Sequence, residues 1–145
     1  MTTNARRIVL LLLALTAAVV GSWAYLAPVH WYSTFPGFGR RWLPVLGPYS
    51  EHLVKDVGAM YLGLLGLSLA AAWRATDTFT VRVAGVGWTV FNVLHLAYHL
   101  QHLGMYQPID QVLNAVALSS FAVAGAVLLL PARATRPAAV AEART

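Results

Sequence analysis

The chain has 145 residues, of which 59% are hydrophobic and only 10% are charged, and its formal net charge is +5. A soluble domain carries about 25% charged residues, and a disordered chain combines low hydrophobicity with high charge, so both classes are excluded. The absence of cysteine removes disulfides and thiolate metal ligands. The composition predicts an integral membrane protein whose partner is the lipid bilayer, with no nucleic acid.

Four apolar stretches, at about 8–27, 53–73, 83–103 and 109–130, are each long enough to cross a bilayer, which takes about 20 residues. All four must be helical, because lipid offers no hydrogen-bond partners to an open backbone. We therefore predict an all-α fold, a four-helix transmembrane bundle over 1–131 followed by a disordered cytoplasmic tail at 132–145. A cleaved signal peptide is the alternative for the first stretch, because Arg6 and Arg7 precede it.

The distribution of cations predicts the orientation. Four crossings place both termini on one side of the membrane, and that side carries seven of the ten cations. The positive-inside rule therefore predicts that both termini are cytoplasmic. The cations on that side are Arg6, Arg7, Arg74, Arg82, Arg133, Arg136 and Arg144.

The connection at 28–50 is long for so small a protein, and long loops are often functional. Its aromatic and proline content predicts a segment at the membrane interface, either as a surface anchor or as a lid over a site beneath it. Its aromatic residues are Trp31, Tyr32, Phe35, Phe38, Trp42 and Tyr49.

Ionisable residues gather at the predicted outer ends of the helices. His95, His99 and His102 follow each other at spacings of four and three, which keeps them on one helix face, and His52 and Asp56 on the second helix are also four apart. Small residues favour close helix approach in membranes. The second and third helices are therefore predicted to pack with these polar stripes facing each other, through Ala59, Gly63 and Gly66.

This convergence predicts a metal site, because imidazole and carboxylate groups suit iron, zinc or copper. The spacing from His95 to His102 resembles a histidine box of the membrane di-iron desaturases and hydroxylases. Those enzymes carry several such boxes and this chain has five histidines, so a mononuclear site or a small mixed centre is favoured. The predicted ligands are His52, Asp56, His95, His99, His102 and Glu51, with Asp110 and His30 in reserve.

Three alternatives stay open. A b-type haem held between His52 and either His95 or His99 would make the protein an electron carrier. A chain of histidines and acids also occurs in proton and ion pathways. The third alternative is a structural role, in which the polar groups only hydrogen-bond to their neighbours, in an accessory subunit whose partner is another membrane protein or a second copy of the chain.

Two segments carry a further resemblance. The run from Gly47 to Leu62 (GPYSEHLVKDVGAMYL), followed by the run from Phe91 to His99 (FNVLHLAYH), resembles a group of small four-helix membrane proteins of high-GC Gram-positive bacteria. The resemblance covers the second and third helices and implies a bacterial plasma membrane, without an established activity. The predicted function is a metal-binding membrane protein, with oxidation or reduction of a lipid-like or quinone-like substrate as the reaction considered.

Overall fold

The computed structural model describes residues 1–132, and four of its helices are long and apolar enough to cross a membrane. This confirms the predicted all-α membrane bundle. The predicted tail lies outside the described residues, apart from Ala132. The elements in chain order are α1 (Thr3–Leu26), α2 (Pro28–Thr34), β1 (Pro36–Gly37), β2 (Arg40–Arg41), α3 (Glu51–Trp73), α4 (Thr78–Gln101), a 3-10 turn (Leu103–Met105) and α5 (Pro108–Val127).

Two helices begin earlier than their apolar stretches, because polar side chains cap them. The hydroxyl of Thr2 accepts a hydrogen bond from the backbone N–H of Ala5, and α1 begins at Thr3. Asp77 accepts bonds from the backbone N–H groups of Phe79 and Thr80 at the start of α4. The hydroxyl of Thr80 and these N–H groups lower the pKa of Asp77, so the cap stays negative where the helix dipole favours an anion.

The bundle consists of two closely packed helix pairs. The helix α1 packs along α3, and α4 packs along α5, whereas α3 and α4 touch much less. Glycines permit the close approach: a Cβ on Gly58 would lie 2.7 Å from the backbone nitrogen of Tyr25, and one on Gly125 would lie 2.8 Å from that of Thr89. We call these two places the glycine contacts. The helices α4 and α5 run antiparallel and are connected by a tight turn.

The predicted packing of α3 against α4 through Ala59, Gly63 and Gly66 is wrong. A Cβ built on Gly63 or Gly66 would meet no other described part of the chain within 4 Å. The glycine that α3 buries is Gly58, and it faces α1. Asp56 lies two residues earlier and hence on the opposite side of a helix with 3.6 residues per turn. The polar stripe of α3 is therefore turned away from the helix pair's interior.

The two ends of the bundle differ in packing. At the terminal end, where the amino group of Met1 donates to the carbonyl of Pro131 over 2.7 Å, the core is continuous. Trp88 is only 1% exposed there, and its indole N–H donates to the hydroxyl of Ser68 over 2.8 Å. The core side chains are Leu10, Leu13, Ala17, Ala71, Ala72, Val81, Ala84, Trp88 and Leu128. The opposite end, which holds α2 and the turn after α4, is the loop end.

Arginines hold the helix ends at the terminal end. The buried Arg6 donates to the carbonyl of Leu130 over 3.2 Å, and Arg7 donates to that of Ala72 over the same distance. Arg82 donates to a carbonyl just beyond α5. Carbonyls at a helix C-terminus carry partial negative charge, so cations there are stabilising. These arginines therefore fasten α3 and α5 to neighbouring helices.

The segment at 28–50 is ordered and tied to α5. After α2, the chain turns through a short hairpin in which Gly37, Phe38 and Gly39 have positive φ angles of 96°, 56° and 75°. The indole of Trp42 donates to the carboxylate of Asp110 over 2.9 Å, and Arg40 pairs with the same oxygen. The first turn of α5 thus fixes the position of the whole segment.

We expect the glycine contact of α1 and α3 to be essential for stability. In Gly58→Ala, the added methyl group would collide with the backbone of Tyr25, and we expect the free energy of unfolding in detergent to fall by about 1–3 kcal/mol. The matched control is Gly63→Ala, whose methyl group meets open space and which should be neutral or slightly stabilising. Equal stability of the two variants would contradict this packing.

Candidate functional site

A partly open cavity of about 290 Å³ lies in the loop half of the bundle, between the two helix pairs. All four long helices contribute to its wall, and the segment at 28–50 closes it at the loop end. The wall is largely apolar and aromatic, with few polar groups. Its main side chains are Trp31, Phe35, Trp42, Leu46, Met60, Tyr61, Phe91, His95, Tyr98, His99, Asn114 and Phe121.

Aromatic contacts make the cover continuous. The ring centroids of Trp31 and Phe35 are 5.3 Å apart, and those of Phe35 and Trp42 are 6.2 Å apart. Trp42 in turn meets the ring of Tyr106 edge-on at 6.4 Å. Of these rings, Trp31, Phe35 and Trp42 line the cavity, which favours the interpretation of 28–50 as a lid over a site beneath it.

The helix α4 brings two of the predicted ligands together. His95 and His99 both line the cavity, and their ring centroids are 4.5 Å apart. Phe91 stacks on His95 at 5.2 Å, and His99 is only 6% exposed. The spacing of four residues therefore places both imidazoles on the cavity side of α4, as its periodicity requires.

Tyr106 orients the buried histidine. Its hydroxyl lies 3.0 Å from Nδ1 of His99. Burial, together with the neighbouring Tyr98, raises the pKa of Tyr106 to about 12, so the phenol keeps its proton at neutral pH. Donation by this hydroxyl to Nδ1 favours the His99 tautomer that carries its hydrogen on Nε2. Tyr106 had no signal in the sequence beyond its place in a tight turn.

The other predicted ligands lie elsewhere on the loop half. His52 and Asp56 pair with each other at 3.3 Å on the outside of α3, where their side chains are 83% and 61% exposed. Glu51 pairs with Lys55 at 3.0 Å. The ring of His102 bonds to the carbonyl oxygen of the residue four positions earlier, outside the cavity.

The reserve ligands are also engaged by other partners. Asp110 binds Trp42 and Arg40, while His30 accepts the indole N–H of Trp23 over 2.8 Å. Within residues 1–132, no three histidine or acidic side chains meet as a metal site requires. The physical reason is the rotation of α3 set by Gly58, which turns its acids away from α4.

Two buried polar atoms near the cavity lack a hydrogen-bond partner among the described residues. They are the indole Nε1 of Trp31, which can only donate, and the amide Oδ1 of Asn114, which can only accept. Both side chains line the cavity and are 6% and 1% exposed. The sequence offers a signal only for Asn114, which lies one helical turn after Asp110.

Comparison with family models, curated proteins and solved structures gives no match for the chain. The resemblance of the second and third helices to small membrane proteins of high-GC Gram-positive bacteria therefore stays a prediction.

We expect the bond from Tyr106 to His99 to stabilise the site. Tyr106→Phe leaves a buried imidazole nitrogen without its partner, and we expect a loss of about 1–3 kcal/mol in the free energy of unfolding. Tyr98→Phe is the control, because it removes the same group from a ring that is 47% exposed. A Tyr106→Phe variant as stable as Tyr98→Phe would show that the bond does not matter.

Proposed function

We propose that this membrane protein binds a small, flat, apolar ring compound of the quinone and quinol class in the cavity. One observation supports the proposal above the others: an unpartnered donor, Trp31 Nε1, and an unpartnered acceptor, Asn114 Oδ1, belong to side chains of the same aromatic cavity. A quinone carbonyl accepts a hydrogen bond, and a quinol hydroxyl donates one. The two unpartnered atoms match the two forms of such a compound.

The size and lining of the cavity support this ligand class. Ligand pockets are mostly apolar with a few polar groups, and their volumes begin at about 300 Å³. At about 290 Å³, this cavity suits a ring system rather than a whole lipid. Leaving a buried polar group unpaired costs about 1–3 kcal/mol, which binding would recover. Aromatic walls also favour stacking against a flat ring.

The histidine pair fits the same ligand. An imidazole has one donor and one acceptor nitrogen when neutral, so it can serve either a carbonyl or a hydroxyl group. His99 already uses Nδ1 for Tyr106, which leaves Nε2 as the available nitrogen. The predicted transition metal is a weaker proposal, because it would rest on His95 and His99 alone. The predicted haem is weaker too, because His52 lies on the outside of α3.

We further propose that the loop end faces away from the cytoplasm in a bacterial plasma membrane. Support comes from the cations, since four of the seven described ones lie at the terminal end. The remaining three, Arg40, Arg41 and Lys55, lie at the loop end. The cavity then lies in the outer leaflet.

The proposal predicts binding that depends on oxidation state. We expect menadione and anaerobically kept menadiol to bind the detergent-solubilised protein at one molecule per chain by calorimetry. Trp31→Phe removes the free donor and should lower the affinity for menadione about tenfold, which corresponds to one hydrogen bond of about 1.4 kcal/mol. Asn114→Leu removes the free acceptor and should lower the affinity for menadiol by a similar factor.

The matched control is Asn92→Leu. Asn92 is equally buried, but its amide donates to the backbone of its own helix and does not line the cavity. We expect this variant to bind both compounds like the unmodified chain. Methylnaphthalene, which lacks the oxygens, should bind more weakly and respond to neither cavity variant. Absence of saturable binding would refute the proposal, and a stoichiometric metal or a haem absorption band would favour the alternatives.

A further inference from the structure

A second depression in the surface adjoins the cavity. It is an open groove of about 790 Å³ between the segment at 28–50 and the first turns of α3. The cavity and the groove have six lining residues in common, so only these side chains separate the two spaces. The six are Trp31, Leu43, Leu46, Val57, Met60 and Tyr98.

The groove opens through the side of the bundle. Leu53 in its wall is 62% exposed, and Met60 and Tyr98 on the boundary are 39% and 47% exposed. From Leu53 to Met60, the groove follows α3 for about 10 Å at 1.5 Å per residue. It therefore runs from the helix end into the depth of the acyl chains, where side chains exposed on a spanning helix meet lipid.

The two volumes differ in what they can hold. The cavity of about 290 Å³ has room for a ring head, but a tail of several isoprene units has more carbon atoms than the head itself. The groove continues from the cavity and is apolar on most of its wall. A tail attached to a ring in the cavity can therefore continue along this wall.

The charges in and around the two spaces restrict the class of ligand further. Asp56 lines the groove with a side chain that is 61% exposed, and its partner there is His52. The described wall of the cavity itself holds no lysine or arginine that could pair with an anionic head such as a phosphate or a fatty acid, so such a head is disfavoured there. An uncharged head is compatible with it.

On the basis of the proposed function, we propose that the ligand is a membrane-resident quinone with an isoprenoid tail. The uncharged ring occupies the cavity, the tail lies in the groove, and the molecule passes sideways from the bilayer between α3 and the segment at 28–50. Met60 and Tyr98 lie at the boundary that the ring crosses between the groove and the cavity. The molecule never has to leave the lipid phase.

Gly47 provides the test, because it lines the groove and not the cavity, and a Cβ built on it meets no described atom within 4 Å. In Gly47→Trp, the indole would fill part of the groove. We expect menaquinone, the tailed form of menadione, to bind this variant at least tenfold more weakly, while menadione binds unchanged. Gly104→Trp is the matched control, since Gly104 is also an open loop-end glycine and lines neither space.

The outcomes separate the two proposals. Selective loss of menaquinone in Gly47→Trp supports the lateral route, and unchanged menadione binding shows that the variant is folded. Equal menaquinone affinity in the two tryptophan variants, or equal weakening of both compounds in Gly47→Trp, overturns it. If menadione fails to bind the unmodified chain, the proposed function fails instead.

Discussion

The structure depends on two places where helix backbones come so close that only glycine fits. At Gly58 and at Gly125, a side chain would collide with the neighbouring helix. Dispersion contacts grow with such proximity, and in lipid they replace the hydrophobic effect as the force that joins helices. Both glycine contacts act within a pair, α1 with α3 and α4 with α5. The two pairs make few contacts with each other, and the cavity lies between them.

This arrangement also decides which polar groups meet. Because Gly58 turns one side of α3 toward α1, His52 and Asp56 face outward and pair with each other. The face of α4 that carries His95 and His99 meets aromatic rings rather than acids. Within the described residues 1–132, no three histidine or acidic side chains come together beside these rings, and the cavity combines apolar walls with a few hydrogen-bonding groups.

Much of the fold is visible in the sequence, since the bilayer demands long apolar helices and the chain has four such stretches. The histidine pair follows from helical periodicity alone. The sequence does not reveal which helix α3 packs against, because α3 offers small residues on two sides. Gly58 looks no different from Gly63 before the packing is known. The position of the segment at 28–50 depends on Trp42 and Asp110, which are 68 positions apart and give no local pattern. Arg6 and Arg7 can be recognised in the sequence as topology signals. Their hydrogen bonds to helix carbonyls cannot be predicted without the fold.

The weak joint between the pairs has a mechanical consequence. Each pair is held by close helix contacts, whereas the pairs contact each other sparsely, so squeezing the molecule from the side would close the space between the pairs first. That space contains the cavity, and the groove adjoins it. Crowded or stiff lipids would then narrow this space, and fluid lipids would widen it. By this route, the lateral pressure of the bilayer would set the volume of the space between the pairs.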